Sequence, residues 1–173
     1  RTLHIHDLGF RLPEHAVAQP EGLRQRFESA FRAAWNRDCE ADALNGLVIT
    51  AGLQWEQIVI LRSYVRYLQQ TGSSLGLEFV EAALLGNPHL ARMVVELFEV
   101  RFDPAAEEGR RDRQETVAAR ARQALDDVAS LEEDRILRSL FGMVTASLRT
   151  NAFQRTPEGE RLDRLAIKLD PQA

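Results

Sequence analysis

The stretch from Gln54 to Thr71 constrains this chain more than any other. Ile58, Leu61, Val65 and Leu68 recur at three- and four-residue spacing, and Ile60, Tyr64 and Tyr67 form a second apolar stripe beside them. A helix apolar on two sides cannot lie on a surface with one face in water; it needs neighbours on both sides. The chain must therefore supply other amphipathic helices to pack around it. Thr71-Gly72 ends the segment, since glycine takes the left-handed position after a helix without a Cβ penalty.

The surrounding sequence supplies them. Leu23, Phe27, Ala30, Phe31, Ala34 and Trp35 carry the helical period, with Pro20 where a first-turn proline is tolerated. A short helical segment over 40–51 is interrupted by Gly46 and Gly52, and a two-turn helix follows from Glu78 to Leu85. Asn87 reads as an N-cap and Pro88 as the first residue of a helix ending at Asp103-Pro104, with Leu90, Met93, Val94, Leu97 and Phe98 inward. Another helix turns Val117, Ala121, Ala124, Leu125 and Val128 inward. Ser130 and Glu133 form a capping-box pair that opens the last long helix, striped by Leu137, Leu140, Phe141, Val144 and Leu148 and fraying near Asn151. Short connections favour antiparallel neighbours. The predicted fold class is all-α: a bundle of six to seven helices over 20–154, with strand-like segments over 1–13 and 155–173.

Those ends alternate. Leu3, Ile5 and Leu8 precede Pro13, and Leu165, Ile167 and Leu169 close the chain. Neither strand has an obvious partner inside, so the sequence reads as a segment excised from something larger. At 173 residues and 45% hydrophobic, it is still long enough to bury a core without staples. Cys39 is the single cysteine, which excludes an internal disulfide and fits a reducing cytoplasm. No apolar run reaches the length of a membrane span. A net charge of −4 argues against a nucleic-acid partner.

Chemistry is sparse. His4 and His6 share a strand face with Asp7 nearby, yet a zinc site needs further ligands, and His15 and His89 offer no matching context. The Gly72–Gly76 stretch follows a helix and lacks a lysine, so it reads as a turn and not a phosphate loop. Glu40 and Asp42 beside Cys39 would raise its thiol pKa and blunt any nucleophilic role. Arg110, Arg111, Arg113, Arg120 and Arg122 are interleaved with Glu107, Glu108, Asp112 and Glu115, the pattern of a solvated, salt-bridged helix face. Tyr64 and Tyr67 with Arg62 and Arg66 could form a polar patch, although tyrosines packed with their hydroxyls at a core margin explain the same spacing. No residue is assigned a catalytic, cofactor-binding or metal-binding role.

Five collinear stretches resemble one family. Leu61-Arg-Ser-Tyr-Val-Arg-Tyr-Leu-Gln-Gln-Thr-Gly72 looks like the helix that begins the helical region of the large bacterial NAD-dependent glutamate dehydrogenases. Asp134-Arg-Ile-Leu-Arg-Ser-Leu-Phe141, continuing through Ala146-Ser-Leu-Arg-Thr-Asn151 and Phe153-Gln154, resembles the last helix before their catalytic domain. Glu96-Leu-Phe98 and Arg101-Phe-Asp-Pro104 match in order and spacing between them. Leu3-His-Ile-His-Asp-Leu-Gly-Phe10 is similar to the strand closing their ACT-like regulatory region, and Ala166-Ile-Lys-Leu-Asp-Pro171 to the strand entering the catalytic domain. The sequence departs from the family at Ala152, where an aromatic residue is usual, and over the loop-like 155–161.

The resemblance implies a non-catalytic segment that braces regulatory and catalytic regions of a homo-oligomeric parent and could transmit effector occupancy as a rigid-body shift. That parent would oxidise L-glutamate with NAD and water to 2-oxoglutarate, ammonium and NADH. The family's catalytic lysine and nucleotide fingerprint have no counterpart here, so NAD is implied for the parent and not for this segment. The alternative from the residues alone is a free-standing all-α interaction or ligand-binding module.

Overall fold

The computed structural model describes residues 21–71 and 75–170. Among these are seven α-helices: α1 (Leu23–Asn36), α2 (Leu47–Thr50), α3 (Trp55–Gln70), α4 (Leu77–Gly86), α5 (Pro88–Phe102), α6 (Arg110–Asp126) and α7 (Leu131–Ala146). Single 3-10 turns occupy Ala43–Gly46 and Pro104–Ala106, and two short strands follow, β1 (Ser147–Thr150) and β2 (Ile167–Leu169). The expected all-α class is what forms. The strand expected over 3–12 lies outside the described residues.

Helix α3 is central, as its two stripes require. Ile58, Leu61 and Val65 are buried on one line and Ile60 and Tyr64 on the next, with α4, α5 and α7 packed around them. Tyr67, further along the second stripe, stays 38% exposed. Helix α5 buries Leu90, Val94, Leu97 and Phe98, and Phe98 meets the Tyr64 ring edge-on at 6.1 Å. Helix α6 lays Val117, Ala121 and Leu125 against α5, and α7 sends Ile136, Leu137, Leu140, Phe141 and Val144 inward. The Ser130 hydroxyl accepts from the Glu133 N–H at 3.3 Å and caps α7, the first half of the expected box, while Glu133 Oε2 accepts from Asn87.

Four expectations are corrected. The α1 stripe faces the core only in part: Ala30 packs against it and neighbouring Ala33 is buried, while Phe31 is 48% and Trp35 77% exposed. Small alanines on the opposite flank let α1 lie close to α2 and α3, which leaves the bulky aromatic edge outward. Asn87 precedes α5 but does not cap it; its amide donates back to the Ala83 carbonyl and across to Glu133 Oε2. Helix α7 stops at Ala146 instead of reaching Asn151, so Leu148 leaves the stripe and is 53% exposed in β1. The C-terminal strand also finds a partner inside the chain. β2 pairs antiparallel with β1 (Ser147 with Leu169, Thr150 with Ile167), across an irregularity at Leu148.

The excursion between the strands is pinched at its base. Asn151 donates through Nδ2 to the Arg164 carbonyl at 2.9 Å and accepts from the Ala166 N–H at 2.7 Å. Gly159, at φ 85°, makes the tight turn that lets Arg155 bridge Arg161. Ala152, Phe153, Leu165, Ile167 and Leu169 return half-buried onto the helical core.

Candidate functional site

The buried polar groups form two joints. In the first, the Tyr64 hydroxyl and Ser147 Oγ are 2.7 Å apart, and Ser147 Oγ also reaches the Met143 carbonyl at 2.8 Å. From α5, Arg101 Nη2 donates to both the Thr145 and Ser147 carbonyls at 2.9 Å. Those carbonyls lie at the end of α7, where acceptors lack intrahelical partners. Arg101 satisfies them, which accounts for the helix stopping at Ala146. Arg110 in turn donates to the Arg101 and Asp103 carbonyls at 3.0 and 2.8 Å, tying α6 to the same corner.

Burial sets the electrostatics of this joint. It pushes the Tyr64 phenol up to about 12, against the opposing pull of the Ser147 hydrogen bond and the Arg101 charge. Burial also pushes the Arg101 guanidinium down, partly offset by the Tyr64 phenol. A neutral phenol held to a serine and two backbone carbonyls held by an arginine are positioned to join α3, α5 and α7.

Arg62 anchors the second joint. It is 6% exposed, and its Nε and Nη2 take the two oxygens of Asp42 at 2.5 and 2.8 Å, a bidentate pair. Nη2 also reaches Asn45 Oδ1 at 2.9 Å, and Arg66 pairs with Glu40 alongside. Desolvation lowers the Arg62 pKa, but the hydrogen bonds and charge of Asp42, with Glu40, reverse the sign and leave it raised. Of the two tyrosines and two arginines noted in the sequence, Tyr64 and Arg62 are thus buried in different joints, while Tyr67 and Arg66 stay at the surface.

The remaining candidates are dispersed. His4, His6, Asp7 and His15 lie outside the described residues, as do residues 72–74 of the glycine turn. His89 is exposed, and the described residues hold no group of three or more metal-ligating side chains. Cys39 is half-buried with its thiol pushed up, first by desolvation and then by Asp42, Asp38 and Glu56, against Arg62. The direction agrees with the sequence argument, but burial leads and Glu40 is not among the causes. The arginine run splits: Arg111 faces water near Glu115, Arg120 pairs with Glu96 at 3.0 Å, and Arg110 turns inward to the first joint.

Neither Arg101 nor Ser147 stood out in the sequence. The signal was a basic residue in the last turn of α5, a position that also suits simple dipole complementation.

Comparison with known proteins gives two family matches. Residues 39–104 match the model described as glutamate dehydrogenase, helical motif 3, and residues 120–173 match bacterial NAD-glutamate dehydrogenase, catalytic domain. A protein of Halomonas elongata named NAD-specific glutamate dehydrogenase is 40% identical over 169 residues, 96% of this chain and 10% of the relative. Proteins of the same name from Pseudomonas aeruginosa and Mycobacterium tuberculosis are 35% and 39% identical, over 100% and 90% of this chain and 11% and 10% of their own lengths. The chain spans about a tenth of the curated relatives it matches.

Proposed function

This chain belongs to the family of bacterial NAD-specific glutamate dehydrogenases, and on that premise we propose that it is a non-catalytic helical segment of such an enzyme. The parent oxidises L-glutamate with NAD and water to 2-oxoglutarate, ammonium and NADH. It works in the cytoplasm as a homo-oligomer and binds NAD through residues outside this segment. No helix among the described residues is long and apolar enough to cross a membrane.

The segment braces the parent's regulatory and catalytic regions. One observation carries this reading: the helical-motif match and the catalytic-domain match share a single hydrophobic core. Leu61 of α3 and Phe98 of α5 are buried in the same cluster as Leu137, Leu140 and Val144 of α7. Such a core moves as one body, so a displacement at one end is carried to the other. The first polar joint holds α3, α5 and the end of α7 together and the second fastens α3 to the 40–45 segment, which serves rigidity. The outward aromatics of α1 supply a contact face.

A charge at Leu140 would not test this, because that residue is fully buried and the core itself would fail. Phe31→Glu and Trp35→Glu together, in the full-length parent, perturb the outer face alone. Surface changes of this kind typically alter intrinsic stability by no more than about 0.5 kcal/mol. The expected result is reduced glutamate-dependent NADH formation and faster proteolysis between regions, with the melting of the isolated segment unchanged. Wild-type activity together with a wild-type digestion pattern would refute bracing through this face.

A further inference from the structure

A cavity of about 660 Å³ lies where the end of α1, the start of α3 and the loop between β1 and β2 converge. Its volume is in the range of small-molecule pockets. Arg37, Trp55, Val59, Asn151, Arg161 and Arg164 are among its lining residues. Neither polar joint uses this space.

Two features of the lining need a reason. Arg161 Nη1 is shut off from solvent and has no hydrogen-bond partner, although a buried donor left unmade costs about 1–3 kcal/mol. The same guanidinium lies over the Trp55 ring, 5.5 Å from its centroid, which fixes its plane from one side. Burial pushes its pKa down, Arg155 adds to that shift and Glu56 opposes it, so the charge is only partly compensated. Arg37 is the second feature. Among the described residues it is the only non-glycine at positive φ, 67°, in the position after α1 where glycine is usual. That conformation costs an L-residue about 1–2 kcal/mol, and it sets Arg37 in the cavity lining.

We propose that this cavity binds one small anion bearing carboxylate or phosphate oxygens, with Arg161 on its Trp55 platform as the principal contact and Arg37 and Arg164 beside it. A planar guanidinium fork matches the spacing of two such oxygens. Asp38, Glu160 and Asp163 also line the cavity and formally balance the three arginines, so a guest is held by the guanidinium fork and not by a general positive field. The site is independent of the bracing role and stands whether or not that role does.

The test is arginine labelling with phenylglyoxal, read at each peptide by mass spectrometry, on this chain and on the full-length parent. Sodium succinate and sodium phosphate are the probes, against sodium chloride at equal ionic strength. Arg111, whose side chain is 92% exposed on α6, is the internal reference. With a probe at ten times its Kd, labelling of Arg161 should slow about tenfold while Arg111 is unaffected. Protection by succinate alone assigns a carboxylate guest, and protection by phosphate alone assigns a phosphate. Equal slowing at Arg111 and Arg161, no slowing at either, or an Arg161 inert in the parent whatever is added would each overturn the site.

Discussion

Replacing Arg101 with methionine tests whether this one side chain ends α7 and fastens it to α5. Methionine keeps an unbranched apolar stem and removes every donor. The Ser147 carbonyl, part-buried and 2.9 Å from Nη2, loses its charged partner, and an acceptor stranded in that way costs about 1–3 kcal/mol. The Thr145 carbonyl is near the surface and rehydrates at little cost. A further 0.5–1 kcal/mol, roughly, goes with the guanidinium 5.5 Å from the Phe102 ring centroid. Against these losses stands the relief of a desolvated charge whose Nε is buried without a partner, worth about 1 kcal/mol. The net is a destabilisation of about 0.5–3 kcal/mol. Equilibrium urea unfolding followed at 222 nm should place the midpoint about 1 M lower, at the slope expected for a small domain. Hydrogen exchange at Ser147 and Leu169 should quicken by more than exchange within α6, because the pairing of β1 with β2 begins at Ser147, the residue whose carbonyl Arg101 holds. A midpoint within about 0.2 M of wild type, with unchanged exchange at those residues, would show that α7 ends at Ala146 for another reason.

Three further outcomes follow from the same geometry. Tyr64, raised to about 12 when folded against an unfolded value of 10, binds its proton more tightly in the native state. Its contribution is therefore complete below pH 10 and lost as pH climbs through 12, about 2–3 kcal/mol in all; Tyr64→Phe should flatten that alkaline limb, and an unchanged limb would contradict the assignment. Leu140→Ala, at a site with no exposure, should cost about 3–5 kcal/mol in urea unfolding, and a loss under about 1 kcal/mol would place α7 outside the core. The Cys39 thiol, raised by its surroundings, should react with iodoacetamide more slowly at neutral pH than a free cysteine, and a rate at or above that of the free thiol would refute the burial argument.

Periodicity was enough to place the helices and not enough to orient the outermost one. Helix α3 was legible because two apolar stripes on one helix leave it no other position than the centre. Helix α1 was misread for a related reason: its apolar arc is broad, running from Leu23 and Ala30 round to Trp35, and periodicity cannot say which edge meets the core. Alanine and phenylalanine count alike in such a pattern, yet only alanines allow close helix approach, and so the aromatic edge lies outward. The end of α7 was illegible because the deciding group, Arg101, lies 46 residues from Ser147 and acts through backbone carbonyls that carry no sequence identity. Arg161 was hidden in the same way. Its significance depends on a partner it lacks and a ring it covers, neither of which can be read from a string.

The family matches divide the chain into two stretches, and the packing does not respect the division. The boundary falls between residues 104 and 120, within the entry to α6. Helix α6 runs across that gap into the second stretch and packs along α5 of the first, and α7, wholly in the second, packs on α3, α4 and α5. Arg101 donates forward to Thr145 and Ser147, and Tyr64 shares its hydrogen bond with a serine 83 residues later. A hydrophobic core cut at that boundary would expose Phe98 on one side and Leu137 and Leu140 on the other, all at 0% exposure in the intact segment. At about 25 cal/mol per Å² of apolar surface, separating those faces is a large cost against the roughly 5–15 kcal/mol that holds a domain folded. The two matched stretches thus share one hydrophobic core.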